Sequence, residues 1–295
     1  MATKTAMITI AGRPNVGKST LTNFLVGEKI AIVSNKPQTT RNRICGIVTK
    51  DDTQYVFVDT PGFHKARTKL GDYMVNVTKN SIADVDLTIM MVEPIASIGP
   101  QDQGLIDQLK TSRCPVVLAI NKIDSVEKDI LLEVIALYSQ AADFVAIIPI
   151  SAKTGDGVEE LLKICKKYAI ESPFLFPEDS TTDQPERQVM AEIIREKLLW
   201  TLDREVPHGT AVEITKFSER DNGIIDIDAT IYCEKSSHKG IIIGKQGAML
   251  KKISSMARAD CEKFMGTRVY LTTWVKVKEN WRDSDFLVRN FGYRE

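Results

Sequence analysis

Through the first 170 residues, short apolar, β-branched runs alternate with stretches whose apolar positions return every three or four residues. The runs predict strands at Ala6–Ala11, Ile44–Thr49, Gln54–Val58, Leu87–Val92, Val116–Ile120 and Val145–Pro149. The stretches between them predict helices, among them Lys18–Gly27, Ile130–Gln140 and Val158–Ala169. Such alternation specifies an α/β fold, a mostly parallel doubly wound sheet with helices on both faces. Sheets of this kind gather ligand-binding loops at the carboxyl ends of their strands. The pattern then breaks. Ser172–Arg187 holds three prolines and no periodicity, and reads as a linker. Beyond it the order becomes helix (Val189–Arg204), two strands (Ala211–Phe217, Ile224–Cys233), a glycine-flanked helix (Gly247–Phe264) and a strand (Arg268–Val277). The expected organisation is a first domain over 1–172, a linker over 173–185, and an α+β domain over 186–295 with its core at about 195–280.

Composition narrows the class. Of 295 residues, 43% are hydrophobic and 26% charged, which excludes a wholly disordered chain and suits two globular domains. No apolar run approaches the roughly 18 residues of a membrane-spanning helix. The N-terminal MATKTAMITIAG has no apolar core or cleavage site, so no secretory signal is expected. Five scattered cysteines without a CxxC pair read as reduced, buried thiols of a cytoplasmic protein. None of the three histidines has a metal-like neighbour.

Candidate chemistry sits where the sheet would put it. Gly12-Arg13-Pro14-Asn15-Val16-Gly17-Lys18-Ser19, followed by Thr20, matches GxxxxGK[ST] between a strand and a helix. Such a loop turns its backbone N–H groups toward phosphates, Lys18 reaches the β- and γ-phosphates, and the Ser19 hydroxyl can ligate Mg²⁺. Asp59-Thr60-Pro61-Gly62 ends the third strand, with Asp59 placed to hold Mg²⁺ through water and the Gly62 N–H to meet a γ-phosphate. Asn121-Lys122-Ile123-Asp124 follows a fifth strand. The Asp124 carboxylate can accept both the ring N–H and the amine of guanine, while adenine would leave it unpaired. Ser151-Ala152-Lys153 ends the next strand, where a backbone N–H can hold the guanine oxygen. Four motifs in this order indicate a GTPase that binds GTP and GDP, as opposed to a kinase or ATPase.

With GRPNVGKST, KPQTTRNR, DTPGFHK, NKID and SAK on the page, the chain resembles the Era family of Ras-like GTPases over essentially its whole length. By that likeness, Thr40 is the switch residue that ligates Mg²⁺ together with Ser19 and Asp59. Lys18, Thr40 and Gly62 are then the expected groups around the reacting phosphate. Ras-like proteins carry a water-orienting glutamine after the DxxG glycine. Phe63 stands there in this chain, with His64 next to it as a weaker candidate, so slow intrinsic hydrolysis is expected. GTPases with Asn in the GxPNxGKS loop can hold K⁺ in place of an arginine finger, capped by a segment equivalent to Ser34–Thr40. Asn15 is therefore either a potassium ligand or a residue that closes the loop by hydrogen bonding.

The C-terminal domain has its own signature. Ile241-Ile242-Ile243-Gly244-Lys245-Gln246-Gly247 leads into a helix and looks like the IIGxxG of a KH domain in the type II order. Small residues there let the loop approach about four nucleotides of RNA backbone. Lys245, Lys251 and Lys252 supply positive charge, and Ile243 with its neighbours an apolar floor for bases. The overall balance of 39 basic and 39 acidic residues hides an asymmetry. From Lys235 to Arg282 eleven Lys/Arg face three Asp/Glu, a local +8, whereas Glu186–Glu234 carries −5. That concentration favours a phosphate-facing surface. Trp274 and Trp281 read as core residues in preference to base-stacking ones. Resemblance to Era further implies 16S ribosomal RNA near its 3′ end as partner and a role in assembling the 30S subunit. It also implies a monomer, cytoplasmic and partly peripheral at the inner membrane face. Two other classes stay open: an RNA chaperone for which GTP only selects a conformation, and an accessory to RNA modification.

Overall fold

The structure, a computed structural model, describes residues 2–62, 68–83, 85–112 and 114–293, without the side chains of 79, 82 and 83. Phe63 and His64 lie outside the described residues. The chain forms two compact units, Met1–Ala31 with Thr40–Ala66 and Met74–Asp183, and Ile32–Thr39 with Arg67–Tyr73 and Gln184–Glu295.

In the first unit, strands β1 (Lys4–Ala11), β2 (Ile44–Lys50), β3 (Thr53–Asp59), β4 (Leu87–Val92), β5 (Val116–Ile120), β6 (Ala146–Pro149) and β7 (Ile170–Glu171) form one sheet. Its order is β2-β3-β1-β4-β5-β6, with β7 on β1. All pairs are parallel except β2–β3 and β1–β7. The predicted strands are all present, within two residues at each end. The helices are α1 (Lys18–Val26), the part of α2 (Lys69–Ala83) from Met74 on, α3 (Pro100–Thr111), α4 (Lys128–Ala141) and α5 (Val158–Lys166). Ala6, Ile8 and Ile10 of β1 bury against Leu21 of α1 and Leu161 and Cys165 of α5. On the opposite face Met90, Val92 and Leu118 bury against Leu105 and Leu109 of α3 and Val134 and Tyr138 of α4. Both faces are covered, which is why β5 reads as an unbroken apolar run and β4 as one interrupted only by Thr88. From β1 the chain builds first toward β3 and then toward β4. That reversal places the loop after β1 at the point where such sheets open a ligand crevice.

Residues 173–183 behave differently from a free linker. Phe176 packs on Cys45, Val56 and Val58, and the buried Gln54 side chain bonds the backbone of Leu175 and Phe176. The N–H of Ile47 donates to Thr181 O at 2.9 Å, and that of Cys45 to Asp183 Oδ1 at 3.0 Å. The segment is a strap along the β2 edge.

The second unit contains α6 (Glu186–Thr201), β8 (Ala211–Glu219), β9 (Ile225–Cys233), α7 (Ser236–Ile243), α8 (Ala248–Met265), β10 (Val269–Val277) and α9 (Asp285–Asn290). Its sheet runs β10-β9-β8, with β9–β10 parallel and β8–β9 antiparallel. A parallel pair needs a long crossover, here α7 and α8. Ile194 and Leu198 of α6 pack with Ala229, Ile231, Ile253, Ala257 and Val275. Trp281 is core as expected, fully buried with its N–H on Gly209 O. Trp274 is not. It is 59% exposed, because its strand alternation puts it on the sheet face away from the helices. Arg195, Glu196 and Lys197 of α6 are buried with partners: Arg195 donates to Glu192 and to Thr39 O, Lys197 bridges Glu196 and Asp260, and Glu196 accepts from the Val33 amide at 2.9 Å.

Candidate functional site

The loop Gly12–Ser19 leaves β1 and enters α1 through a left-handed glycine. Gly17 has φ of 103°, and a Cβ there would lie 2.2 Å from Asn121 Nδ2. No side chain caps α1, so its first amides are oriented toward an anion. Asn15 also has positive φ, at 68°, which adds to the loop's curl. Val16 is buried in the core and anchors the loop from below. Thr20 follows inside the first turn of α1.

Lys18 is 6% exposed, and its Nζ donates to the carbonyls of Gly12 and Arg13 at 3.1 Å each. Burial lowers its pKa to about 8 against the opposing pull of the Asp59 charge. A phosphate would favour the charged form. Asp59 is wholly buried, and desolvation raises its pKa to about 6 despite Lys18, Ser19 and the Thr60 amide.

Three predicted metal ligands converge. Ser19 Oγ donates to Asp59 Oδ2 at 2.6 Å and stands 2.9 Å from Thr40 Oγ1, itself buried. Serine has one hydroxyl proton, so Thr40 is the donor of that second bond. Asp59 Oδ1 has no hydrogen-bond partner among the described residues. A buried carboxylate oxygen without a partner, beside two hydroxyls, is the hard donor set that Mg²⁺ takes together with phosphate and water. Thr60 turns inward to Ile10 O at 3.0 Å, and the Pro61 carbonyl accepts from Thr78. Gly62 lies against the phosphate loop, where a Cβ would sit 2.8 Å from Pro14 N.

The base-side residues form a second cluster. Asn121 Nδ2 donates to Val16 O at 2.7 Å, and its Oδ1 accepts from the Ala152 amide at 2.8 Å. One side chain thus joins the phosphate loop to the Ser151–Lys153 loop. Ser151 Oγ donates to Asp124 Oδ1 at 2.8 Å, fixing the carboxylate expected to read guanine. Lys122, in the left-handed region, precedes the short turn begun by Ile123.

Sequence reasoning missed Glu93, which ends up between Arg13 and Lys122 and bonds both. Its signal was a lone carboxylate directly after a buried strand, at a carboxyl end where ligand loops gather.

In the second unit, α7 ends at Ile243, and Gly244, Gln246 and Gly247 all take positive φ before α8 begins. Gly244 is close-packed as well as left-handed, since a Cβ would lie 2.7 Å from that of Met249. Lys245, Gln246, Lys251 and Lys252 are exposed, while Ile243 is half-buried under the loop and Ile242 fully buried.

Comparison with known proteins agrees with the fold of both units. A family described as 50S ribosome-binding GTPase matches residues 7–122, and a KH-domain family matches residues 205–282. The GTPase Era of Ruminiclostridium cellulolyticum is 54% identical over 294 residues, covering 100% of this chain and 99% of its own. A crystal structure of Era in complex with MgGDPNP and nucleotides 1506–1542 of 16S ribosomal RNA superposes with a TM-score of 0.94 at 38% identity, covering 99% and 100% of the two chains. A variant Era of Aquifex aeolicus bound to GDP·AlF4⁻ matches with the same score, identity and coverage.

Proposed function

The chain belongs to the Era family and is a GTPase; from that premise we propose that it binds the 3′ region of 16S ribosomal RNA through its KH domain and acts in 30S subunit assembly. The observation that carries the RNA reading is the exposed Gly244–Gly247 loop, with Lys245, Lys251 and Lys252 open to solvent in the basic half of the second unit. The Era structure of like fold holds 16S nucleotides and MgGDPNP, which supports the same two ligands here.

In this reading Ser19, Thr40 and Asp59 hold Mg²⁺, which would neutralise charge on the β- and γ-phosphates. Lys18 supplies a buried cation to the same oxygens, and the Gly62 amide donates to the γ-phosphate. Asn121 keeps phosphate and base loops in register, and Asp124 selects guanine. Ordering of Lys36–Arg43 and Asp59–Lys69 by GTP makes RNA binding nucleotide-dependent. Asn15 as a potassium ligand belongs to this proposal and predicts faster turnover in K⁺ than in Na⁺; equal rates remove it. A monomer in the cytoplasm, with some peripheral membrane contact, completes the reading. Gel filtration and fractionation test those parts; among the described residues no helix is long and apolar enough to cross a membrane.

The test of the partner is crosslinking to RNA in cells and sequencing what is held. Enrichment at the 16S 3′ end is expected. Enrichment on the large-subunit RNA instead would favour the subunit named in the GTPase family's description over the 16S nucleotides held in the Era complex. Sedimentation with a GTP analogue and with GDP should place the protein on small subunits in one state more than the other. Absence from them in both would sink the assembly role.

A further inference from the structure

Three consecutive strand ends of the first unit, those of β1, β4 and β5, are joined by one carboxylate. Glu93 is the first residue after β4. One of its oxygens accepts from Arg13 Nη2 of the phosphate loop, and the other from Lys122 Nζ of the base loop. Its side chain is 21% exposed, that of Arg13 27% and that of Lys122 40%, so both ion pairs lie partly out of water. Arg13 is held from a second side, with Nε 3.6 Å from Asp102 Oδ2 on α3. Asp102 is nearly buried and in turn accepts from the Tyr138 hydroxyl of α4 at 3.5 Å. Arg13 thus faces two carboxylates from different elements, Glu93 after β4 and Asp102 on α3.

We propose that Glu93 is a positioning residue for the guanine nucleotide, acting through Arg13 and Lys122 to hold the phosphate loop and the base loop at a fixed separation. Asn121 makes an inner, neutral tie between the same loops. Glu93 makes an outer, charged one. A nucleotide spans both loops, so their separation sets how well both of its ends are met at once, which is a ground-state binding effect.

Electrostatics supplies a sharp alternative. Glu93 is an anion close to a site for polyphosphate. Were it there only as a local charge, Glu93→Gln would strengthen nucleotide binding by removing repulsion. If it positions the loops, the same variant weakens binding. The test is stopped-flow binding of a fluorescent GDP, with steady-state GTP hydrolysis, on the full-length protein. Glu93→Gln, nearly isosteric, is expected to raise the GDP dissociation rate and the KM for GTP about tenfold, with kcat within twofold. The association rate rises modestly at low salt, because two cations are left unneutralised. Glu93→Asp keeps the charge with shorter reach and should fall between. On an Arg13→Gln background, Glu93→Gln should cost less than it does alone, because part of its route is already gone. Tighter GDP binding, a fall in kcat at unchanged KM, or full additivity of the two substitutions would each overturn the proposal. Should Glu93→Gln lower thermal stability, the intermediate KM of Glu93→Asp and the cycle with Arg13→Gln still decide it.

Discussion

The loops Gly12–Ser19 and Gly244–Gly247 use one piece of backbone chemistry in opposite surroundings. Each enters a helix through a left-handed glycine, Gly17 before α1 and Gly247 before α8, and in neither does a side chain cap the helix. The N-terminal turn of α1 is thereby open to an anion, while in α8 the Ala248 amide donates to Lys245 O and only the amides after it are open. What differs is everything around them. The first loop has a buried lysine, a buried Val16 and a tie from Asn121. The second presents Lys245 and Gln246 to solvent and is closed chiefly by its own bond, from the Gly247 amide to Gly244 O at 3.2 Å. A loop held on all sides suits one small anion at one fixed position. A loop on the surface suits a chain of phosphates passing over it.

Perturbing each loop separately tests that contrast. The largest effect is expected from Gly17→Ala, where a left-handed backbone and the 2.2 Å approach of Asn121 both oppose a Cβ. GTP affinity should fall on the order of 1000-fold by equilibrium titration, with RNA affinity within twofold of the nucleotide-free parent. Next comes Gly244→Asp, which adds strain against Met249 and an anion facing phosphate. RNA affinity in a filter-binding assay should fall roughly 100-fold with GTP binding intact; retained RNA affinity would argue against the KH reading.

A pH series gives a smaller effect, confined to the buried loop. Asp59 has a folded pKa of about 6, above its unfolded value, so the native state binds more protons between about 4 and 6. Nucleotide-free stability should therefore fall as pH rises through that window. Asp59→Asn removes the cost, raising the thermal midpoint by a few degrees at pH 7.5 and leaving it unchanged near pH 3. For Lys18, lowered to about 8, the penalty is present below that pH and is relieved as pH rises beyond it. The smallest effect is expected from Lys251→Gln or Lys252→Gln, both exposed. Each should weaken RNA binding about threefold and reduce the salt-dependence slope by about 0.7, with stability unmoved.

Legibility in the sequence follows the same division. The strands and the Gly12–Ser19, Asp59–Gly62, Asn121–Asp124 and Ser151–Lys153 motifs were readable because local sequence and tertiary role agree there. Helix α7 was not foreseen: only Ile241–Ile243 stood out as an apolar run, and three consecutive isoleucines suit a strand as well as a buried helix. Trp274 was misread as core because aromatic identity says nothing about which face of a strand it occupies. The burial of Lys197 has no local signal either, because one of its carboxylate partners, Asp260, lies 63 residues on. Glu93 escaped for a similar reason: its partners come from two other loops, and no spacing within its own segment announces them.

The strap along β2 bears on how this protein can be divided. Cutting after Glu171 would leave the amides of Cys45 and Ile47 without their acceptors and uncover the seat of Phe176. An open strand edge of that kind recruits strands from other molecules. An isolated first unit should therefore stay soluble when it extends to Asp183 and self-associate when it stops at Glu171, so the segment that joins the halves also guards one of them against its own copies.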